Sequence, residues 1–303
     1  MSIFPTKILL ATDGSREAES AARTAADLAQ KTHSELHVVH AFGIAPVGPP
    51  VYPEATDLQS VEYEAETEEG QRISEQRARE VLQEEVEKVR STVAGEHLVE
   101  GRVAPEIVGL AEEIGAGLIV MGSRGRGGIR RALMGSVSQS VVRHAHCPVL
   151  VVRDGERQRD YLPGTILLAV DGSEEASAAA RTAVELAERT DSELHVVHVG
   201  EVTPVFHPER HGYRARYEEL QEQARRLLDE QVHEVNSAGG TVSRAHLRMG
   251  RPDEEIVVLG EEIGADLIAT GSRGLGGMRR ALMGSVSDSI VRHSHCPVLV
   301  VRE

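Results

Sequence analysis

The chain contains no tryptophan, and five tyrosines and three phenylalanines are its only aromatic residues apart from histidine. Cores must therefore be built from Ala, Val, Leu and Ile, and aromatic stacking platforms for single-stranded nucleic acid are excluded. Lysine is nearly absent: Lys7, Lys31 and Lys88 stand against 30 arginines. Basic residues are also in deficit, 33 against 48 acidic ones, for a formal net charge of -15. So acidic a chain is unsuited to coating nucleic acid or an anionic membrane. A salt-rich cytoplasm suits such a surface, and a GC-rich genome would equally exchange Lys for Arg. Two cysteines, Cys147 and Cys296, cannot form a disulfide framework and read as buried reduced thiols. No apolar run approaches the roughly 18 residues of a membrane span. Met1-Ser2-Ile3-Phe4-Pro5 has neither the basic start nor the apolar stretch of a secretory signal. The expected location is the cytoplasm.

What the chain does have is one unit written twice. Its 303 residues suggest two domains of about 150 each. Ser34-Glu35-Leu36-His37-Val38-Val39-His40 recurs unchanged as Ser192 to His198, at an offset of 158. Asp13-Gly14-Ser15 recurs as Asp171-Gly172-Ser173. From Glu106 to Val152 the offset to the second copy is 149, and 37 of the 47 positions are identical. The first copy therefore carries nine extra residues between His40 and Glu106. A period the size of a whole domain excludes a solenoid. The expected domains are 1–153 and 164–303, joined by the polar stretch from Arg153 to Pro163-Gly164.

Within a unit, Lys7 to Thr12 reads as a strand buried on both faces. Ser15 is placed to cap the following helix, whose Ala18, Ala22, Ala25 and Ala29 form an inward stripe, repeated as Ala176, Ala180, Ala183 and Ala187. Glu35 to Ala41 is the second strand. A Pro-rich loop, 45–53, leads to a helix ending near Val93, whose charged side reads as a solvated face. His97 to Val103 is expected as a third strand and Pro105 as the start of a helix. Leu118 to Met121, a helix over Ser136 to His144, and a strand over Cys147 to Val152 complete a βαβαβαβαβ order. That order implies an α/β fold with a parallel sheet. Ligands then bind at the carboxyl ends of the strands near the switch point, which selects the loops at Asp13 and Gly122.

The second of these loops is rich in glycine. Gly122-Ser123-Arg124-Gly125-Arg126-Gly127-Gly128 precedes Gly135-Ser136-Val137-Ser138, which enters a helix; Gly271 to Gly277 and Gly284-Ser285-Val286-Ser287 repeat it. Glycines let backbone N–H groups approach phosphate oxygens, and a helix start offers unpaired donors and a positive dipole end. Neither a Walker A loop nor a Rossmann fingerprint fits, since the lysine of the one and the third glycine of the other are missing. Arg124, Arg126, Arg130, Arg131 and Arg273 could neutralise phosphate or form a solvated loop face. Arg143-His144-Ala145-His146-Cys147, repeated as Arg292 to Cys296, lacks the turn and fourth ligand of a zinc site, and His144 reads as a cation at a helix end.

The spacing Gly122-x2-Gly125-x9-Gly135-Ser136, repeated as Gly271-x2-Gly274-x9-Gly284-Ser285, resembles the ATP-binding signature of the universal stress protein (UspA-like) family. The resemblance covers nearly the whole chain, twice. It implies two tandem five-stranded parallel-sheet domains, Rossmann-like and akin to the adenine nucleotide alpha hydrolases. It also implies ATP as ligand, with Mg or Mn as an optional companion. Asp13 and Asp171 would contact the adenosine part, beside the strand ends Ala11-Thr12 and Ala169-Val170. Ala41 and Val199 would pack the adenine. Gly122, Gly125, Gly135 and Ser136, with Gly271, Gly274, Gly284 and Ser285, would hold ribose and phosphates. Arg124 and Arg273, Val137 and Val286, and Met121 and Thr270 would bind the nucleotide with them, and Ser138 and Ser287 would be further donors. Met121 becomes Thr270 in the second copy and Ala41 is smaller than Val199, so the two sites are expected to differ. The last strand of the family pairs across a two-fold axis, so Val149 to Val152 is expected to meet Val298 to Val301 within the chain, with homodimerisation optional. The implied function is nucleotide-dependent binding or regulation in a stress response. The alternatives are a slow ATPase or nucleotide phosphotransferase, for which no water-positioning residue is identified, and a binder of AMP or another nucleotide.

Overall fold

A computed structural model describes residues 3–43, 68–125, 134–153, 163–202, 213–274 and 283–302. The Pro-rich loop 45–53, Arg126, Arg130, Arg131, the glycines at 127, 128, 276 and 277, and most of the interdomain stretch lie outside them. The first half runs β1 (Lys7–Ala11), α1 (Arg16–Thr32), β2 (Glu35–Phe42), α2 (Glu68–Val89), β3 (Val93–Glu100), α3 (Val103–Ile114), β4 (Ala116–Gly122), α4 (Ser136–His144) and β5 (Val149–Val152). The second half runs β6 (Thr165–Ala169), α5 (Glu174–Thr190), β7 (Glu193–Glu201), α6 (Tyr213–Ser237), β8 (Val242–Gly250), α7 (Pro252–Ile263), β9 (Leu267–Gly271), α8 (Ser285–His293) and β10 (Val298–Val301). Among the described residues no helix is long and apolar enough to cross a membrane.

Each half is a parallel sheet in the order 3-2-1-4-5, and the two sheets join edge to edge into one of ten strands. The join is the expected one. β5 and β10 pair antiparallel, with Val149 opposite Val300, Leu150 opposite Leu299 and Val151 opposite Val298. Four-residue apolar strands left as edges would invite pairing with another chain; here each covers the other. Two core layers run through both halves, one on each face. Ile8, Leu10, Leu36 and Val38 face α1 and α2; Leu9, Val39, Ile119 and Val149 face α3 and α4. The alternation follows from the period of two along a strand.

Local chemistry sets the element ends that matter. Ser15 caps α1 by accepting from Ala18 N at 3.2 Å, and Ser173 caps α5 by accepting from Ala176 N at 3.1 Å. All four alanines of each expected stripe are buried. They bring α1 and α5 so close that a Cβ on Gly122 would stand 3.0 Å from the Glu17 carbonyl carbon, and one on Gly271 2.8 Å from that of Glu175.

Two expectations need correction. The third strand spans Val93–Glu100, not His97 to Val103, because α2 ends at Val89 and a 3-10 turn, Arg90–Thr92, redirects the chain. α3 then begins at Val103, two residues before Pro105, after Arg102 in extended conformation. The ends of β2, β4 and β5 differ from expectation by one or two residues, as is usual at element boundaries.

Candidate functional site

The strand order changes direction between β1 and β4, so the loops after these two strands part and leave a crevice at their carboxyl ends. In the second half this crevice is a cavity of about 660 Å³. That volume suits a ligand of nucleotide size. Every residue expected in the second site lines it. Ala169, Val170 and Asp171 come from the end of β6, and Val199 from β7. Thr270 and Gly271 end β9, followed by Arg273 and Gly274. Gly284, Ser285, Val286 and Ser287 form the start of α8.

The first half repeats the local arrangement among its described residues. Ala11 pairs with Met121 and Val39 across the sheet, and Ala41 and Val137 pack on the same core layer. Thr12 N donates to Val39 O at 3.0 Å. A Cβ on Gly125 would lie 2.3 Å from Asp13 Oδ2, so these two loops touch.

Gly135 and Gly284 are extended N-caps with no side-chain cap hydrogen bond among the described residues. The first amides of an α-helix have no intrahelical partner, so those of Ser136 to Ser138 and Ser285 to Ser287 are donors at a positive dipole end. The glycines themselves are tied back: Gly135 N donates to Ser123 O and Gly284 N to Ser272 O, each at 2.8 Å. Added Cβ atoms there would sit 3.4 Å from Ser123 O and 3.3 Å from Arg273 Cα.

Two expected donors have other partners. Ser138 Oγ donates to Gly122 O at 2.8 Å and Ser287 Oγ to Gly271 O at 2.7 Å, and both serines are buried. These hydroxyl protons pin the helix start to the strand end. Arg124 is also held. Its Nε and backbone N donate to the two oxygens of Glu17, each at 2.7 Å, and Ser123 Oγ donates to Glu17 at 2.5 Å. Arg273 forms the equivalent ion pair with Glu175 at 2.7 Å through one terminal nitrogen. Its buried Nε has no hydrogen-bond partner among the described residues.

The halves also differ below the crevice. Thr12 Oγ1 donates to buried Glu85 at 3.1 Å, which also takes Lys88 at 2.7 Å. Val170 occupies the Thr12 position, and Leu227 packs by Gly172 in the second half. The His-x-His-Cys segments do not assemble a metal centre: among the described residues no group of three or more His, Cys, Asp and Glu could hold a metal ion. Burial pushes the Cys147 thiol up to about 12 and the Cys296 thiol up to about 11. His144 is the last residue of α4, where its Nδ1 meets Ser140 O at 2.7 Å.

A sequence model of the universal stress protein family matches residues 5–153 and again 164–302. The chain belongs to the universal stress protein family. Universal stress protein Rv2005c of Mycobacterium tuberculosis is 31% identical over 301 residues, covering 98% of this chain and 97% of its own length. Universal stress protein Mb2028c of Mycobacterium bovis matches with the same figures. The crystal structure of a universal stress protein from Archaeoglobus fulgidus superposes with a TM-score of 0.71 at 25% identity, covering 99% of this chain and 97% of that one. The doubled universal stress protein architecture thus extends along the full length of similar chains.

Sequence reasoning missed several residues around the cavity. Pro252 and Ile256 of α7, Leu227 of α6 and Met283 before α8 form apolar parts of the wall, and Glu201 stands at the end of β7. His198 Nδ1 meets Val170 O at 2.9 Å. No motif marks these positions. Glu17 and Glu175 carried a partial signal, as acidic residues in the first turn of a helix that faces the glycine loop.

Proposed function

We propose that each half of this universal stress protein binds an adenine nucleotide, ATP foremost, and that binding changes the surface the glycine loops present to partners in a stress response. The observation that carries the proposal is the second-half cavity. Its lining combines the start of α8, uncapped among the described residues, with Arg273, which is paired to Glu175 and whose buried Nε has no partner among the described residues. Backbone donors at a helix start and a guanidinium are the groups that hold phosphate. The same lining holds apolar Ala169, Val199, Leu227 and Ile256, which suit a planar base. Asp171, also in the lining, and Asp13 at the matching position of the first half would accept from ribose hydroxyls. A net charge of -15 repels anions at long range, so the attraction must come from these local donors. A divalent cation, Mg or Mn, would arrive on the phosphates and keep most of its water, since Mg is rarely held by a dedicated protein cage. The glycine spacing shared with the ATP-binding branch of the family supports the same reading.

Thermal unfolding with and without nucleotide tests it. At a free ligand concentration a hundred times Kd, binding stabilises by about 2.7 kcal/mol, which raises Tm by several degrees. Mass spectrometry of ligand released from the purified protein separates ATP from AMP and cyclic nucleotides. Labelled ADP that forms with wild type and disappears with Gly135→Glu and Gly284→Glu would favour the ATPase alternative. No released nucleotide, together with an unchanged Tm in millimolar ATP, would contradict nucleotide binding.

A further inference from the structure

Each closing strand ends in an arginine that crosses to the other half. Arg153, after β5, donates from Nη1 to Ser294 O at 2.9 Å and from Nη2 to Arg292 O at 2.5 Å. Those carbonyls lie at the end of α8. Arg302, after β10, donates from Nη1 to Arg143 O, at the end of α4. These are the helices whose uncapped starts belong to the candidate sites. Each helix therefore carries one half's site at its first turn and the other half's arginine at its last.

The same arginines sit beside the glycine loop of their own half. The residue before each arginine is bonded to that loop: Ser123 N donates to Val152 O at 2.8 Å and Ser272 N to Val301 O at 2.7 Å. Arg124 and Arg273 are the loop arginines paired to Glu17 and Glu175. A further bridge joins the two helices directly, from Gln139 Nε2 to Asp288 Oδ1 at 3.3 Å. A cation bonded to the last carbonyls of a helix offsets the negative end of its dipole. It also fixes where the helix lies, and burial limits screening by salt. Both effects favour an anion at the opposite end.

We propose that Arg153 and Arg302 are positioning residues that act across the interface: Arg153 sets α8 for the second-half site, and Arg302 sets α4 for the first-half site. Because each lies next to its own half's loop pair, ligand in one site biases the other, and the coupling is reciprocal. This inference rests on the nucleotide-binding reading of the same sites and adds their regulation.

The test uses the full chain with Arg153→Gln or Arg302→Gln, each combined with Gly135→Glu or Gly284→Glu to silence one half. ATP affinity is read by titration calorimetry. Arg153→Gln weakens the second-half site, read in Gly135→Glu, by about threefold to tenfold. It leaves the first-half site, read in Gly284→Glu, within about twofold. Arg302→Gln gives the mirror pattern, and Arg153→Lys, which keeps the charge, recovers most of the loss. Hydrogen exchange without ligand is the second readout: Arg153→Gln speeds exchange in 285–293 and spares 136–144, and Arg302→Gln does the reverse. Loss confined to the variant's own half, equal loss in both halves, or no loss in either overturns the inference. Should wild type bind no nucleotide, the reading of the previous subsection fails on its own. The exchange pattern then decides the positioning role, and exchange that rises evenly or only in the variant's own half sinks it.

Discussion

The Asp171 carboxylate occupies the space a side chain on Gly274 would need: a Cβ there would lie 2.2 Å from Asp171 Oδ2. The aspartate is aimed by its own loop, since Ser173 N and Ser173 Oγ donate to its Oδ1 at 3.0 and 2.6 Å. Gly274→Ala must therefore displace the carboxylate or the glycine loop. The expected result is about tenfold weaker nucleotide binding in the second half, the size of a mild overpacking penalty. Calorimetry on Gly274→Ala and Gly125→Ala checks it, and unchanged affinity in both would remove Asp171 and Asp13 from the site.

Glu17 organises the first-half loop from beneath. It is buried and takes bonds from Ser123 Oγ, Arg124 N and Arg124 Nε. Glu17→Ala strands those donors and is expected to cost about 1–3 kcal/mol in urea unfolding, with weaker binding in the first half. Glu175→Ala should weaken the second half instead. A variant that loses stability with both affinities intact would make Glu17 purely structural.

Each half also holds a pair of histidines between its second and third strands. His37 Nδ1 meets His97 Nε2 at 3.0 Å, and His195 Nδ1 meets His246 Nε2 at 3.2 Å. Desolvation first, then the partner histidine, lowers the pKa of His97 and of His246 from 6.5, with Arg248 and Arg244 adding to the shift at His246. Glu113 and Glu262 oppose the shifts. A depressed folded pKa means the unfolded chain takes up the proton more readily. The stabilisation is present above 6.5 and is lost as pH falls through the lowered folded value. Tm is expected to begin falling as pH drops towards 6.5 and to go on falling below it, and to fall less in His97→Gln/His246→Gln. Identical pH profiles for variant and wild type would contradict this.

Cys147 and Cys296 are buried, with thiols pushed up to about 12 and about 11. The thiolate is the reactive form. At pH 8 a disulfide reagent should leave the native chain untouched and titrate two thiols in guanidinium. Fast native reaction would show that the core opens there.

Much of this architecture is legible in the residues, because the chain states it twice. The Ser15 cap, the alanine stripes and the helix over Ser136–His144 stand as expected, and Ser173 repeats the cap, since capping chemistry and a 3.6-residue period act locally. β3 was misplaced for a physical reason. It is an edge strand with half-exposed residues, Val93–Glu100, and has no continuous apolar run, while Val93 happens to continue the helical spacing of Leu82, Val86 and Val89. The glycine signature identified which loops meet, but not everything the glycines do. Gly122 and Gly271 also answer to the first turns of α1 and α5, which press against them. The roles of Ser138 and Ser287 turned on a strand carbonyl 16 residues back, which no local pattern encodes. Arg153 and Arg302 find their partners only when folding brings the other half to them.

Native mass spectrometry of the full chain with ATP tests the central claim most directly. The account predicts two nucleotides per wild-type chain, one in Gly135→Glu, one in Gly284→Glu and none in the double variant. Two nucleotides retained in the double variant, or none on wild type at saturating ATP, would contradict it.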